Sequence, residues 1–311
     1  MRKHTTLKAL ALCTLLGAAT LLQAQNFKEA FHEALNNDSV ALQEQILRDW
    51  RQRGGERDAA YHVARFNHFF NQAFAYGLQL SAQYPVGEEN VMSVIDSAGN
   101  EQYMYFTRIL MDTALLDSAI AAGQSGVGLS PQRLDIRFGI IHTLLTARRW
   151  DDAIAAINST LDYSTEHRHQ WLFDETMVGK EELSDAMTDY LGRLFYSVDL
   201  DAQTFSPEEE SRIMAVRSIA QKVHAIDPKN AIPLNFIAIS YNIFYDYRSS
   251  QPYLEEALKL DKKDLIVLSN LYTTALNNRD IATARRCLKG MKKYGDDDTR
   301  QWAKEQLKQL K

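Results

Sequence analysis

The sequence predicts an all-α protein in which antiparallel helix pairs stack on one another. One observation behind this prediction is a repeat of 34 residues in the C-terminal third, and another is a scarcity of turn formers. The chain has only 14 Gly and 6 Pro among 311 residues, about half of the roughly 12% usual in proteins. Sheet-rich folds use these residues in their turns, so the scarcity favours long helices with short connections. The apolar fraction of 45% is typical of a chain that buries a core, which excludes wholesale disorder.

Residues 1–24 have the pattern of a cleaved export signal rather than of a folded element. A basic head containing Arg2, Lys3 and Lys8 precedes an uncharged, mostly apolar run over residues 9–22. A transmembrane helix needs roughly 20 apolar residues, so this run is too short to anchor the chain. We therefore expect cleavage after Ala24 and a bacterial protein that is periplasmic or extracellular. No integral membrane segment is expected after cleavage.

The net charge limits which partners are expected, and the cysteine count limits which disulfides can form. Cleavage removes Arg2, Lys3 and Lys8 but no carboxylate, so the formal net charge changes from −5 to −8. An acidic protein is a poor match for a phosphate backbone, so we expect no nucleic-acid partner. Cys287 is the one cysteine left after cleavage, which excludes an intramolecular disulfide, and we expect its thiol to be buried and inert.

The repeat is visible in two blocks of 34 residues that begin at Ala231 and Leu265. Each block has one apolar stripe at spacings of three and four, a polar break and a second stripe, which predicts two antiparallel amphipathic helices. In the first stripe, Leu234, Ile237, Ala238 and Tyr241 align with Leu268, Leu271, Tyr272 and Ala275. In the second stripe, Ser250, Leu254 and Ala257 align with Ala284, Leu288 and Met291. Such a pair cannot bury its apolar face alone, so neighbouring pairs must stack.

A third block in the same register begins at Leu134, and its second helix carries Ala153 and Ile157. Pro131 and Pro228 lie just upstream of two blocks, where a helix must end. These positions resemble the tetratricopeptide repeat (TPR), although the Trp of its first consensus position is absent from every block. The resemblance implies a right-handed superhelical solenoid of helix pairs. It also implies a non-enzymatic scaffold that binds a protein or peptide.

The predicted organisation has four segments. They are the signal (1–24), degenerate helical repeats (25–130) with an insertion near 81–108, TPR-like repeats (131–295) with an insertion near 163–180, and a C-terminal capping helix (296–311). Within the second segment, residues 58–80 predict a long aromatic helix, and a turn at 96–100 predicts a small β-hairpin. Ser206 and Glu209 form a capping box with Pro207 between them, which predicts a helix that runs to Ile226.

Residue types that carry chemistry are present but scattered. His62 and His68 are six residues apart on a predicted helix and point away from a common face, so they cannot share a metal from that helix alone. His167 and His169 lie in a predicted loop, where two ligands without a second cluster are weak evidence for a metal site. The glycines in residues 123–128 fit neither a phosphate-binding nor a nucleophile motif. We therefore expect no metal, no cofactor and no catalytic set.

The candidate binding surface follows from the family resemblance. In TPR proteins the first helix of each pair lines a concave face that holds an extended peptide. Carried over by position, that face comprises Phe138, His142, Leu145, Asn235, Ile239, Asn242, Ser269, Thr273 and Leu276. Asparagine can pair with a peptide backbone as both donor and acceptor. Ordinary packing between repeats is the alternative explanation for these residue types.

A second hypothesis uses aromatic residues in the predicted loop near 163–180. Trp171 and Phe173 lie there, and exposed aromatic residues on a long loop tend to bind ligands. This alternative function is a receptor for a small molecule or a glycan. Packing of the two aromatic side chains back onto the helices is the competing explanation for them. The sequence carries no signal for a particular oligomeric state.

Overall fold

A computed structural model of the protein describes residues 26–84, 91–200 and 204–310. The predicted export signal, residues 1–24, lies outside the described residues. The chain divides into two compact units, one ending at Ala147 and the other beginning at Arg148. The division comes after the helix that opens the block at Leu134. Within the described ranges no helix is both long and apolar enough to cross a membrane.

The N-terminal unit combines helices with an antiparallel sheet. Its helices are α1 (26–36), α2 (Val40–Gln52), α3 (Ala59–Gln72), α4 (Thr113–Leu129) and α5 (Leu134–Thr146). Its strands are β1 (Phe74–Ser81), β2 (Met92–Ile95) and β3 (Glu101–Met111). They form one sheet in the order β1–β3–β2. The predicted hairpin is present as β2 and β3, and β1 adds a strand that the sequence analysis did not predict.

The predicted aromatic helix over residues 58–80 is wrong in its second half. The helix ends at Gln72, and β1 begins at Phe74, where it pairs with Met111 of β3. From Phe74 to Ser81 the larger apolar side chains recur at every second residue, which is the period of a strand. Pairing with β3 supplies the hydrogen bonds that a continuing helix would have made internally.

Glycines set the packing of α3, α4 and α5. A Cβ atom on Gly123 of α4 would lie 2.8 Å from Cγ1 of Ile140 on α5. A Cβ atom on Gly139 of α5 would lie 3.1 Å from Cζ of Phe66 on α3. Both distances are shorter than ordinary contacts, so the three helices approach more closely than side chains would permit. The glycine-rich stretch is therefore a helix-packing surface.

The C-terminal unit consists mainly of helices. They are α6 (Trp150–Glu166), α7 (Lys180–Phe195), α8 (Pro207–Ile226), α9 (Ile232–Asn242), α10 (Tyr247–Leu260), α11 (Leu265–Asn277), α12 (Ile281–Tyr294) and α13 (Asp297–Gln309). A short hairpin, β4 (Trp171–Phe173) with β5 (Thr176–Val178), lies between α6 and α7. From α7 to α13 each helix packs against the next one in the chain. This is the nearest-neighbour packing of stacked helix pairs.

The 34-residue period is present in atomic detail. The small residues Ser250 and Ala284 occupy equivalent positions on α10 and α12, and both are fully buried. The turns that precede these helices also match, because Tyr245 and Arg279 both have left-handed backbone conformations, with φ of +59° and +60°. The prediction of helix pairs in this register is confirmed.

The same equivalence holds at the helix starts. Asp246 caps α10 by accepting a hydrogen bond from the backbone N–H of Ser249, and Asp280 caps α12 by accepting one from Thr283. A side-chain acceptor at this position satisfies a backbone donor that has no partner within the helix. The capping box predicted at Ser206 is present at the start of α8. Local sequence signals therefore set the starts of α8, α10 and α12.

Candidate functional site

Helices α9 and α11 are the first helices of successive pairs, and they contact each other in the C-terminal unit. We use the name α9/α11 face for the six predicted groove residues that these helices carry. They are Asn235, Ile239 and Asn242 on α9, and Ser269, Thr273 and Leu276 on α11. Spacings of three and four residues place each set on one side of its helix. None of the six side chains is charged.

The accessibility of the α9/α11 face differs between the two helices. Ser269 and Thr273 on α11 are exposed, whereas Ile239 on α9 and Leu276 on α11 are half-buried. The face therefore offers two hydroxyl groups beside partly covered apolar side chains. A surface of this kind can combine hydrogen bonds with apolar contact to a partner.

Two hydrogen bonds join α9 to α11. Nδ2 of Asn270 donates to Oδ1 of Asn235 at 2.8 Å, and Nδ2 of Asn242 donates to Oγ1 of Thr274 at 2.9 Å. Oγ1 of Thr274 in turn donates to the carbonyl oxygen of Asn270 at 2.8 Å. These bonds tie the two helices together through partly buried side chains, so they fix the helix separation. Both asparagines thus serve packing between repeats, which was the alternative explanation for these residues.

Asn242 has one further feature that separates it from the exposed part of the face. Its Oδ1 atom is buried and finds no hydrogen-bond partner within the described part of the chain. A buried acceptor of this kind lowers stability by about 1–3 kcal/mol. Because the atom is covered, a ligand cannot reach it without movement of the helices. Ser269 and Thr273 are therefore better probes of binding than Asn242.

Sequence reasoning missed Asn270 and Thr274. Both lie on α11 next to its apolar stripe and carry polar side chains into the contact with α9. The available signal is that Thr274 is fully buried, and a buried hydroxyl requires a partner. One of its partners, the carbonyl oxygen of Asn270, is local, but the other is Asn242 on α9, roughly one repeat away, which no local pattern identifies.

The three groove residues predicted on α5 belong to the N-terminal unit, and the α9/α11 face is defined without them. Leu145 is only 2% exposed, so the prediction that it contacts a ligand is wrong: it packs into the core of its own unit. His142 is exposed, and its ring lies edge-on to Phe70 with 5.9 Å between centroids. Phe138 is half-buried.

For Trp171 the structure bears out packing against the helices, and not exposure on a loop. The predicted loop near 163–180 is instead the last turn of α6 followed by the β4–β5 hairpin, and Trp171 begins β4 fully buried. Its Nε1 donates to Oγ of Ser164 at 3.1 Å, and its ring packs against Tyr163. Phe173 remains 47% exposed. The hairpin folds back onto α6, which removes one of the two aromatic side chains that the receptor hypothesis requires.

His62, His68 and His169 each have a hydrogen-bond partner within the N-terminal or C-terminal unit to which they belong. Nδ1 of His68 lies 2.9 Å from Oε1 of Gln43, and desolvation by burial lowers the pKa of His68 below its ordinary value. Nε2 of His62 lies 3.0 Å from the carbonyl oxygen of Glu56, and Nδ1 of His169 lies 2.9 Å from Oγ of Ser164. Within the described ranges no three His, Cys, Asp or Glu side chains form a group that could hold a metal ion.

Cys287 has the environment predicted for it. Its side chain is fully buried in α12, and burial raises the pKa of its thiol to about 11. The thiolate is the reactive form of cysteine, so this residue is inert at neutral pH.

Comparisons with known proteins give structural likenesses alone. No protein-family model and no curated protein matches the chain. A tetratricopeptide repeat protein from Parabacteroides merdae is 10% identical, with 92% of this chain and 88% of that one covered and a TM-score of 0.41. A thermophilic TPR protein from Thermus thermophilus is 12% identical, with coverages of 62% and 91% and a TM-score of 0.36. MamA from Desulfovibrio magneticus is 11% identical, with coverages of 58% and 85% and a TM-score of 0.37.

The internal geometry of the chain is more informative than these distant likenesses. Two helices per 34 residues, a fully buried small residue in each second helix, and matching left-handed turns at Tyr245 and Arg279 all recur in one register. The period and the buried small residue are those of the repeat that the sequence resembles. This register identifies the C-terminal unit as a stack of antiparallel helix pairs with a 34-residue period, the architecture that the sequence resemblance implies.

Proposed function

We propose that this chain is a non-enzymatic, exported scaffold that binds an extended protein segment on the α9/α11 face. One observation carries the proposal: exposed hydroxyls and partly covered apolar side chains share a face whose two helices are joined by two hydrogen bonds. A surface formed before binding loses little conformational entropy when a partner arrives. The absence of charge among its six residues favours recognition by backbone hydrogen bonds and apolar contact.

Each exposed residue has a definite chemical role in this proposal. The hydroxyls of Ser269 and Thr273 can donate to a peptide carbonyl or accept from a peptide N–H. Ile239 and Leu276 offer apolar surface beside them. Because these contacts are uncharged, we expect the affinity to change little with salt concentration.

Site-specific photo-crosslinking tests the proposal. We expect a photoreactive amino acid at position 269 or 273 to trap one defined partner in the cells that produce the protein. Ser218, which is exposed on α8, is the matched control position and should trap none. Export is tested on the same material, since cleavage after Ala24 leaves Gln25 as the first residue of the purified chain.

A charge substitution tests the same proposal through a change in binding affinity. Ser269→Arg places a long cation on the face, and we expect it to weaken binding of the trapped partner at least tenfold. Ser218→Arg should leave the affinity unchanged, and both variants should keep the helical circular dichroism spectrum of the parent. Equal trapping from positions 218 and 273, or an unchanged affinity in Ser269→Arg, contradicts the proposal.

A further inference from the structure

A pocket of about 370 Å³ lies among α10, α11 and α12 of the C-terminal unit. Its volume is at the lower end of the roughly 300–1,000 Å³ common for small-molecule sites. None of the six residues of the α9/α11 face lines it. It is therefore a second candidate site, distinct from the surface proposed for a protein segment.

The lining of the pocket is partly apolar. Leu258 on α10, Leu268 on α11 and Tyr294 on α12 all contribute to it. Gly290 on α12 also lines the pocket, and a Cβ atom there would lie 2.9 Å from Cδ2 of Leu268. A side chain at position 290 would therefore displace Leu268 and change the shape of the pocket. The present residues provide an apolar region that can accept a short hydrocarbon group.

Cations predominate among the charged residues of the pocket. Lys259, Lys262 and Arg286 line it together with one carboxylate, that of Glu255. Nη2 of Arg286 lies 3.2 Å from Oε1 of Glu255, so these two charges offset each other. Lys259 and Lys262 are exposed, and neither pairs with a carboxylate among the described residues. The pocket thus carries two uncompensated positive charges in a chain whose formal net charge is −5.

We propose that this pocket binds a small amphiphile in which a short hydrocarbon chain ends in a carboxylate. The hydrocarbon contacts Leu258, Leu268 and Tyr294, and the carboxylate interacts with the two free lysines. Lysine presents a compact charge on a flexible stem, so it can follow a carboxylate without a fixed bidentate geometry. Because its volume is at the lower end for small-molecule sites, the pocket suits a chain of up to about eight carbons rather than a long lipid.

The hydrocarbon and the charge contribute in separable ways. Burial of each additional methylene group is expected to raise the affinity about fourfold until the pocket is full. Attraction to Lys259 and Lys262 at an exposed rim is screened by salt, so binding should weaken as ionic strength rises. Neither group alone is expected to reproduce the affinity of the combined ligand.

Calorimetry of the purified chain with three probes tests this proposal. Octanoate carries both groups, octanol carries the hydrocarbon alone, and acetate carries the carboxylate alone. We expect octanoate to bind at least tenfold more tightly than either of the other two. Absence of octanoate binding overturns the proposal, as does octanol binding of equal strength, because the lysines would then have no role. Equal binding of acetate overturns it as well, because the apolar lining would have no role.

Charge reversal locates the site. The double variant Lys259→Glu, Lys262→Glu should weaken octanoate binding at least tenfold, and both residues are exposed, so the fold should be retained. The matched control is Lys289→Glu, Lys292→Glu, since these lysines are exposed on α12 but do not line the pocket. Equal losses in both double variants would mean that overall charge, and not this pocket, governs binding, and that result overturns the assignment.

Discussion

The two units bury their helices in different ways. In the C-terminal unit the same contacts recur after 34 residues, with small residues such as Ser250 and Ala284 where helices meet. In the N-terminal unit the close contacts occur once each, at Gly123 and Gly139, and an antiparallel sheet joins β1 to β3 across more than twenty residues of sequence. A periodic sequence pattern therefore predicts the recurring contacts of the C-terminal unit. It does not predict contacts that occur once, as in the N-terminal unit.

The largest expected effect tests nearest-neighbour packing in the C-terminal unit. Leu254 on α10 is fully buried, so Leu254→Ala should lower the free energy of unfolding by about 2–5 kcal/mol. Hydrogen exchange should accelerate first in α9, α10 and α11, because these helices pack directly on one another. Leu260→Ala in the same helix is the control, since Leu260 is 44% exposed. Equal loss of protection in every helix of the unit would contradict stability shared between neighbours.

A smaller effect tests close packing in the N-terminal unit. Gly123→Ala places a Cβ atom 2.8 Å from Cγ1 of Ile140, and such overpacking costs about 1–3 kcal/mol. The gain in helix propensity offsets part of this cost, and we expect net destabilisation in urea unfolding. Gly128→Ala in the same helix meets no atom within 4 Å and should stabilise α4 by up to about 1 kcal/mol. Similar stabilisation in both variants would show that α4 and α5 are not in tight contact.

The smallest effect tests the equivalence of repeats. The hydroxyl of Ser250 is buried and finds no partner among the described residues, and the equivalent residue on α12 is Ala284. We expect Ser250→Ala to raise the free energy of unfolding, measured by thermal denaturation, by about 1 kcal/mol. The reason is that the substitution removes a buried unpaired hydroxyl. Ser240→Ala should have the opposite sign, since Oγ of Ser240 accepts from Nε of Arg217 at 2.9 Å. A loss of stability in Ser250→Ala would refute the equivalence of the two positions.

The sequence predicts the repeat well because each signal is local. The capping box at Ser206 and the buried positions Ser250 and Ala284 depend on residues within one helix pair. The strand β1 was mispredicted because Phe66, Phe70 and Phe74 continue a helical spacing of four residues across the true end of α3. Pairing with β3, a distant segment, decides that end.

The sequence predicts which helices carry the candidate site, but it does not predict how the side chains of that site are hydrogen-bonded. All six positions of the α9/α11 face lie on the first helices of their pairs, as the resemblance implies. The hydrogen bonds of Asn235 and Asn242 depend on which residues a neighbouring repeat presents, so a single-repeat pattern does not reveal them. The sequence left the position of Trp171 open, because the short hairpin that packs it against α6 has no strong sequence signal.

The left-handed turns indicate where the amino-acid sequence of this chain can change without loss of the fold. A left-handed residue that bears a side chain costs about 1–2 kcal/mol relative to the right-handed form, and the chain accepts this cost at Tyr245 and again at Arg279. Both side chains are exposed, so neither contributes to the core. The tips between paired helices are thus the places where substitutions or short insertions could accumulate without disturbing the stack.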